Sequence, residues 1–167
     1  DFQGSRGLGD VYKRQLLEVL GPEPFDDWNA KIAAAKCRGK RSPIKTTLLD
    51  QKFVVGVGNI YACEALHNAG ISPTKLAAKL VTKSGKPTKA LEKLVDEVKI
   101  VLKKAIAAGG STLNDFADVD GNLGYFSHHF TIYGREDQPC LKAGCSGTVE
   151  RIVQSNRSTF WCPRCQK

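Results

Sequence analysis

The stretch VVGVGNIYACEALHNAGISP, residues 54–73, sets the architecture. An apolar turn, Phe53 to Gly58, runs into a pattern that predicts a helix from about Asn59 to Asn68, stopped by Gly70 and Pro73. Gly56 and Gly58 remove side chains just where that helix begins, so another backbone can approach its unpaired N–H groups and positive dipole end. Asn59 adds a side-chain amide to the first turn, and a phosphate fits such a place. No Gly-Lys-Ser/Thr follows, which excludes a nucleotide-binding P-loop. Two glycines ahead of a helix equally suit a plain tight turn.

Upstream, a short helix is expected around Leu48 to Gln51, and before it lies KCRGKRSPIK with Lys36, Arg38, Lys40, Arg41 and Lys45 within ten residues. Cations this close repel one another unless an anion neutralises them, as a phosphate backbone does, although a solvated basic loop has the same composition. Earlier still, Asp26 or Asp27 suits the cap of a helix running to about Cys37. Residues 1–15, DFQGSRGLGDVYKRQ, show no apolar period and resemble translated cloning sequence, so they are read as a non-native leader.

Downstream, residues 86–108 form the clearest helical pattern. Leu91, Leu94, Val95, Val98, Val101, Leu102, Ala105 and Ile106 make one apolar stripe, with Pro87 in the first turn and Gly109-Gly110 at the end. The glycine- and aspartate-rich segment that follows, to about Phe126, reads as a loop.

Four of the 6 cysteines sit in the last 28 residues: Cys140 and Cys145 as C-x4-C, Cys162 and Cys165 as C-x2-C, with 16 residues between the pairs. Two knuckles of this kind present four thiolates to one tetrahedral zinc ion. Between them, two strand-like runs flank a polar turn at Ser155, Asn156 and Arg157. The metal would tie down chain that packing alone could not hold. Cys37 and Cys63 have no paired neighbour and read as ordinary core or surface thiols. His128 and His129 alternate faces of a strand, so they are not read as ligands of one ion.

Twenty-five Lys and Arg against 17 Asp and Glu give a formal charge of +8 and favour a polyanionic partner, nucleic acid before an anionic membrane. A basic soluble enzyme is the plain alternative. The hydrophobic fraction of 41% argues against disorder. No apolar run spans a bilayer and no signal-peptide pattern opens the chain, which reads as intracellular.

Taken together, LGPEP, VVGVGNIYACEALHNAGISP, GGSTLNDF, IYGREDQPC and RSTFWCPRCQK resemble, in order and spacing, the C-terminal half of the bacterial formamidopyrimidine-DNA glycosylases, from about Leu16 to Lys167. The resemblance implies a mainly α fold. A helix-two-turn-helix domain spans residues 16–126 and a small β-hairpin zinc finger residues 127–167, while the family's N-terminal β-rich catalytic domain is absent from this sequence. It implies one structural Zn2+ on Cys140, Cys145, Cys162 and Cys165, and phosphate contacts from Gly58, Asn59, Tyr133 and Arg157. A lesion-capping loop over about 110–126 would include Ser111, Thr112, Leu113, Asn114, Asp115 and Phe116. Relatives acting on oxidised pyrimidines typically shorten that loop, which favours oxidised purines here.

The implied partner is damaged double-stranded DNA. No membrane is involved, and the protein would be a monomer in the bacterial cytoplasm, at the nucleoid. The family's nucleophile is the amine of an N-terminal proline followed by glutamate, whereas this chain begins Asp1-Phe2, so the 167 residues alone are expected to bind DNA without glycosylase activity. An endonuclease VIII-like parent and a non-catalytic zinc-ribbon module are the alternatives.

Overall fold

The computed structural model describes residues 20–108 and 130–167; the leader, the expected capping loop, His128 and His129, and the expected helix stop at Gly109-Gly110 lie outside them. The chain enters through an irregular turn in which the Trp28 N–H donates to Glu23 O. Helix α1, Ala30–Cys37, then starts at Asn29, whose side chain accepts from the Ile32 N–H at 2.9 Å. Asp26 and Asp27 therefore do not cap it: both stay exposed in the preceding turn, and Asn29 is the residue positioned three before a free helical N–H.

Helix α2, Ile44–Leu49, starts four residues earlier and ends two earlier than expected, with Pro43 at its N-cap with φ of −58°. Its successor Asp50 turns instead, accepting from the Lys52 N–H through its carboxylate. Helix α3, Asn59–Ala69, begins and ends as predicted, with Gly70 at φ 73° supplying the left-handed C-cap. A short 3-10 turn at Ala77–Leu80 was not foreseen.

Helix α4, Lys89–Ala107, is capped by Thr88, whose hydroxyl accepts from the Leu91 N–H and donates to Leu80 O. Pro87 sits ahead of the cap, bridged to Val81, and is not in the first turn. Seven stripe residues from Leu91 to Ala105 are buried, but Ile106 is 60% exposed because it turns off the core face one step before the helix ends. Thr88→Ala removes one cap and one tertiary hydrogen bond, and is expected to lower stability by about 1–2 kcal/mol in chemical denaturation.

One core cluster joins α1, α3 and α4, with Trp28 set edge-on to Phe53 at 5.9 Å between centroids. A second, smaller cluster gathers Ile132, Cys140, Val149, Phe160 and Cys162 with Cys63 from α3. Above it, β1, Glu150–Gln154, pairs antiparallel with β2, Arg157–Trp161, in the register Gln154↔Arg157. The two-residue turn places Ser155 at φ 48° and Asn156 at φ 64°, the positive pair that a tight hairpin requires.

Candidate metal centre and nucleic-acid interface

All four predicted thiols converge, with every Sγ within 4.8 Å of the others. Cys140 and Cys165 are 3.8 Å apart, Cys145 and Cys162 3.7 Å. Zinc–sulfur bonds of about 2.3 Å in a tetrahedron require sulfur–sulfur edges of about 3.8 Å, so the residues fit the ion. Burial first, and then neighbouring thiols, hold Cys140 and Cys165 above the ordinary thiol range, a penalty that a bound dication reverses. Gly147 closes the knuckle: its N–H donates to Cys145 Sγ at 3.4 Å, and a Cβ there would lie 2.6 Å from Cys162 Sγ. This is a structural site holding one zinc ion.

Beyond the thiolates, residues 166 and 167 are tied by more than metal. Gln166 is 2% exposed, accepting from the Cys162 N–H and donating to Ile71 O. The Lys167 N–H donates to Gly70 O, and Lys167 O accepts from the Ser72 N–H.

Helix α3 is stitched to the finger along its length. Asn59 Nδ2 donates to Ser158 O at 3.0 Å, which sets the first turn of α3 beside the neighbour of Arg157. Asn59 Oδ1 is buried without a hydrogen-bond partner, and Nδ2 carries a second hydrogen beyond the one given to Ser158 O. Gly58, the N-cap, provides no side-chain cap. The two glycines differ in their reason: Gly56 has φ of 88°, whereas Gly58, at −88°, is unstrained, and an added Cβ there would meet nothing within 4 Å. The fold itself does not need glycine at 58. The open space faces away from protein atoms, above a helix N-terminus.

Arg157 opens β2 and is exposed. Tyr133 packs its ring on Phe160 at 4.7 Å and on Phe130 at 6.1 Å. The structure thus brings Gly58, Asn59 and the residue next to Arg157 together, and Tyr133 packs on Phe160 of that same strand.

The basic run divides. Lys36 donates to Lys52 O, and Lys40 lies 3.9 Å from Asp50. Lys45 does not belong to a solvated or phosphate-facing run: it is 1% exposed, its ammonium bonded to Thr159 Oγ1 and, at 3.4 Å, to Ser158 O. Burial pulls its pKa down, with the neighbouring Cys63 thiol opposing and Arg157 reinforcing. It is a pin between α2 and β2, in the first turn of a helix that starts directly after Pro43.

Two functional neighbours escaped sequence reading. Glu64 is buried, its carboxylate accepting from the N–H groups of Thr131, Ile132 and Tyr133 and from the Thr131 hydroxyl. His67, 2% exposed, places Nε2 3.3 Å from Cys140 Sγ and Nδ1 3.2 Å from Thr131 Oγ1. Burial, then Lys142 and Arg135, push its pKa down to about 4, so the ring is neutral at pH 7. Cys37 and Cys63 prove to be buried thiols, burial raising Cys37 to about 11. Among the described residues, no helix is long and apolar enough to cross a membrane.

A helical domain whose central helix abuts a four-cysteine zinc hairpin defines the class: a helix-two-turn-helix protein with a zinc finger. Residues 20–117 match the family model of the formamidopyrimidine-DNA glycosylase H2TH domain, and residues 137–167 match the zinc finger found in FPG and IleRS. The formamidopyrimidine-DNA glycosylase of Rhodopseudomonas palustris (strain BisB18) is 49% identical over 160 residues, covering 95% of this chain and 55% of that protein. That of Sinorhizobium fredii (strain NBRC 101917 / NGR234) is 53% identical over 168 residues, covering 96% and 57%. Among solved structures, MutM in complex with carbocyclic 8-oxo-G containing DNA superposes with a TM-score of 0.76 at 31% identity, covering 95% of this chain and 55% of that one. The Lactococcus lactis Fpg complex with abasic-site DNA gives 0.77 at 31% identity, covering 95% and 56%. The chain belongs to the formamidopyrimidine-DNA glycosylase family, and it spans about half the length of these relatives.

Proposed function

We propose that this chain is the damaged-DNA-binding part of a base-excision-repair glycosylase and abasic-site lyase acting on oxidised purines. The observation that carries the reading is the uncapped N-terminus of α3 at Gly58, open to an incoming group and set by Asn59 against the strand that begins at Arg157. The helix start and the Asn59 amide lie beside the strand that the exposed Arg157 opens, and backbone N–H groups, an amide and a guanidinium make a donor set suited to phosphate oxygens. Backbone contacts position an enzyme without reading sequence, which suits a search for chemical damage in any context. Phosphates held on either side of a kink offset the few kcal/mol needed to evert a nucleotide. In this reading residues 16–126 are the helical domain with the capping loop at about 110–126, residues 127–167 are the finger, and Tyr133 contributes its hydroxyl to the DNA backbone.

Fluorescence anisotropy of the zinc-loaded chain tests this, using a duplex with a stable abasic-site analogue and the same duplex undamaged at one salt concentration. The wild-type chain is expected to bind the abasic duplex more tightly. Gly58→Ala should melt at the wild-type temperature, since the fold leaves room for a methyl group, yet bind both duplexes about tenfold or more weakly. Unchanged affinity in Gly58→Ala, or no duplex binding by the wild type, would remove the support for the site.

A further inference from the structure

His67 is a buried side chain that the DNA-binding reading leaves unused. Its ring stands between two parts of the finger: Nε2 is 3.3 Å from the Cys140 sulfur, and Nδ1 is 3.2 Å from the Thr131 hydroxyl. Thr131 in turn is bonded to the Glu64 carboxylate, one turn back on the same helix. A histidine enclosed by apolar residues with no partner would be a costly choice; here both nitrogens have one.

We propose that His67 is the outer partner of the zinc site, donating its Nε2–H to the Cys140 thiolate and so fixing the C-x4-C knuckle to α3. A neutral imidazole has one N–H, and its neighbours decide which nitrogen bears it. A metal-bound thiolate only accepts, so Nε2 carries the hydrogen. Nδ1 then accepts the Thr131 hydroxyl. The hydroxyl has one hydrogen, so turning it to Nδ1 gives up its bond to Glu64 Oε2 and Oγ1 draws back from that oxygen; the carboxylate keeps the backbone N–H groups of Thr131, Ile132 and Tyr133. The hydrogen bond spreads negative charge off Cys140 and holds its sulfur in the tetrahedral position, two effects by which groups outside the ligand set strengthen metal binding. Because α3 also carries Gly58 and Asn59, the same contact keeps the metal knuckle in register with the open N-terminus. The assignment stands on the zinc site and is independent of what that N-terminus binds.

The test uses the whole 167-residue chain. Zinc transfer to a chromogenic chelator is measured for the wild type, for His67→Phe, which keeps an aromatic ring, and for His67→Gln, whose amide N–H takes the place of Nε2–H. His67→Phe is expected to hold zinc about 10–100-fold more weakly and His67→Gln to stay near the wild type. In parallel, wild-type protein loaded with cadmium-113 and labelled with nitrogen-15 should show scalar coupling between the His67 Nε2 proton and the metal, transmitted through the Cys140 sulfur. That spectrum decides the matter even if His67→Phe fails to fold. Equal zinc affinity in His67→Phe, equal loss in both variants, or no coupling in the cadmium protein would each overturn the proposal.

Discussion

Cys162→Ser is expected to release the zinc ion and unfold the finger while leaving the helical core in place. Two five-residue strands joined by a tight turn are marginal in water, and the small cluster beneath them is built partly from the ligands Cys140 and Cys162 themselves. Structural zinc contributes on the order of 10–16 kcal/mol to folding in comparable peptides, far more than that cluster supplies. The larger cluster draws its buried members from Trp28 to Ala105 and contains no finger residue among them, so far-UV helicity should persist. Loss nonetheless spreads to the interface, because Lys45, Asn59 and Cys63 all rest on β2 or its neighbours. Lys45 would be left as a buried ammonium without its two acceptors, and Asn59 without Ser158. The expected result is therefore zinc content near zero, amide protection of residues 150–161 lost in hydrogen exchange, and binding to duplex DNA weakened by tenfold or more. A chain that keeps the hairpin's slow amides without metal would show that packing, and not zinc, holds the finger.

How much of this could be read beforehand follows the range of the interactions. The boundaries of α3 were legible because they are local: the glycines and Asn59 at its start and Gly70 at its end act within one turn. The four ligands were legible for the same reason, since the knuckle spacing is a property of neighbouring residues and the hairpin between them announces itself by Ser155 and Asn156. Capping was less secure. Asp26, Asp27 and Asn29 are all competent, and only the path of the chain past the buried Trp28 selects Asn29. The candidate phosphate site was legible as residue types, but the pairing of Asn59 with Ser158 joins positions 99 apart and has no local trace. Lys45 was misread for a related reason: a cation among cations looks solvated, and its burial depends on a strand more than a hundred residues away. His67 carries a faint mark, a polar ring in a helix whose neighbours Ile60 to Leu66 are nearly all apolar, yet nothing adjacent points to Cys140.

Glu64→Ala is expected to be the most destabilising substitution outside the metal site, by about 3–5 kcal/mol. Although it is an acid in mid-helix, Glu64 is 4% exposed and accepts from three consecutive backbone N–H groups. Those groups belong to the segment that leads into the finger, at 2.9, 3.2 and 3.3 Å from Oε1. Truncation leaves them in a space lined by α3, and each buried donor without a partner costs about 1–3 kcal/mol. Ile132 is fully enclosed and bears the whole penalty, whereas Thr131 and Tyr133 are half-exposed and water can reach them, so the sum falls short of three full losses. Glu64→Gln separates charge from shape: its carbonyl still accepts, but its NH2 faces donors, so it should fall between the wild type and alanine. Urea denaturation of the zinc-loaded proteins measures the difference, and hydrogen exchange should show residues 131–133 opening faster in both variants. A loss below about 0.5 kcal/mol for alanine would mean that the segment finds other partners at little cost. With the expected loss, Tyr133 is freed from its seat on Phe160, and the finger can tilt against α3. DNA affinity should then fall although no proposed phosphate contact has been altered, because Asn59 and Arg157 present one surface only while α3 and β2 are held together.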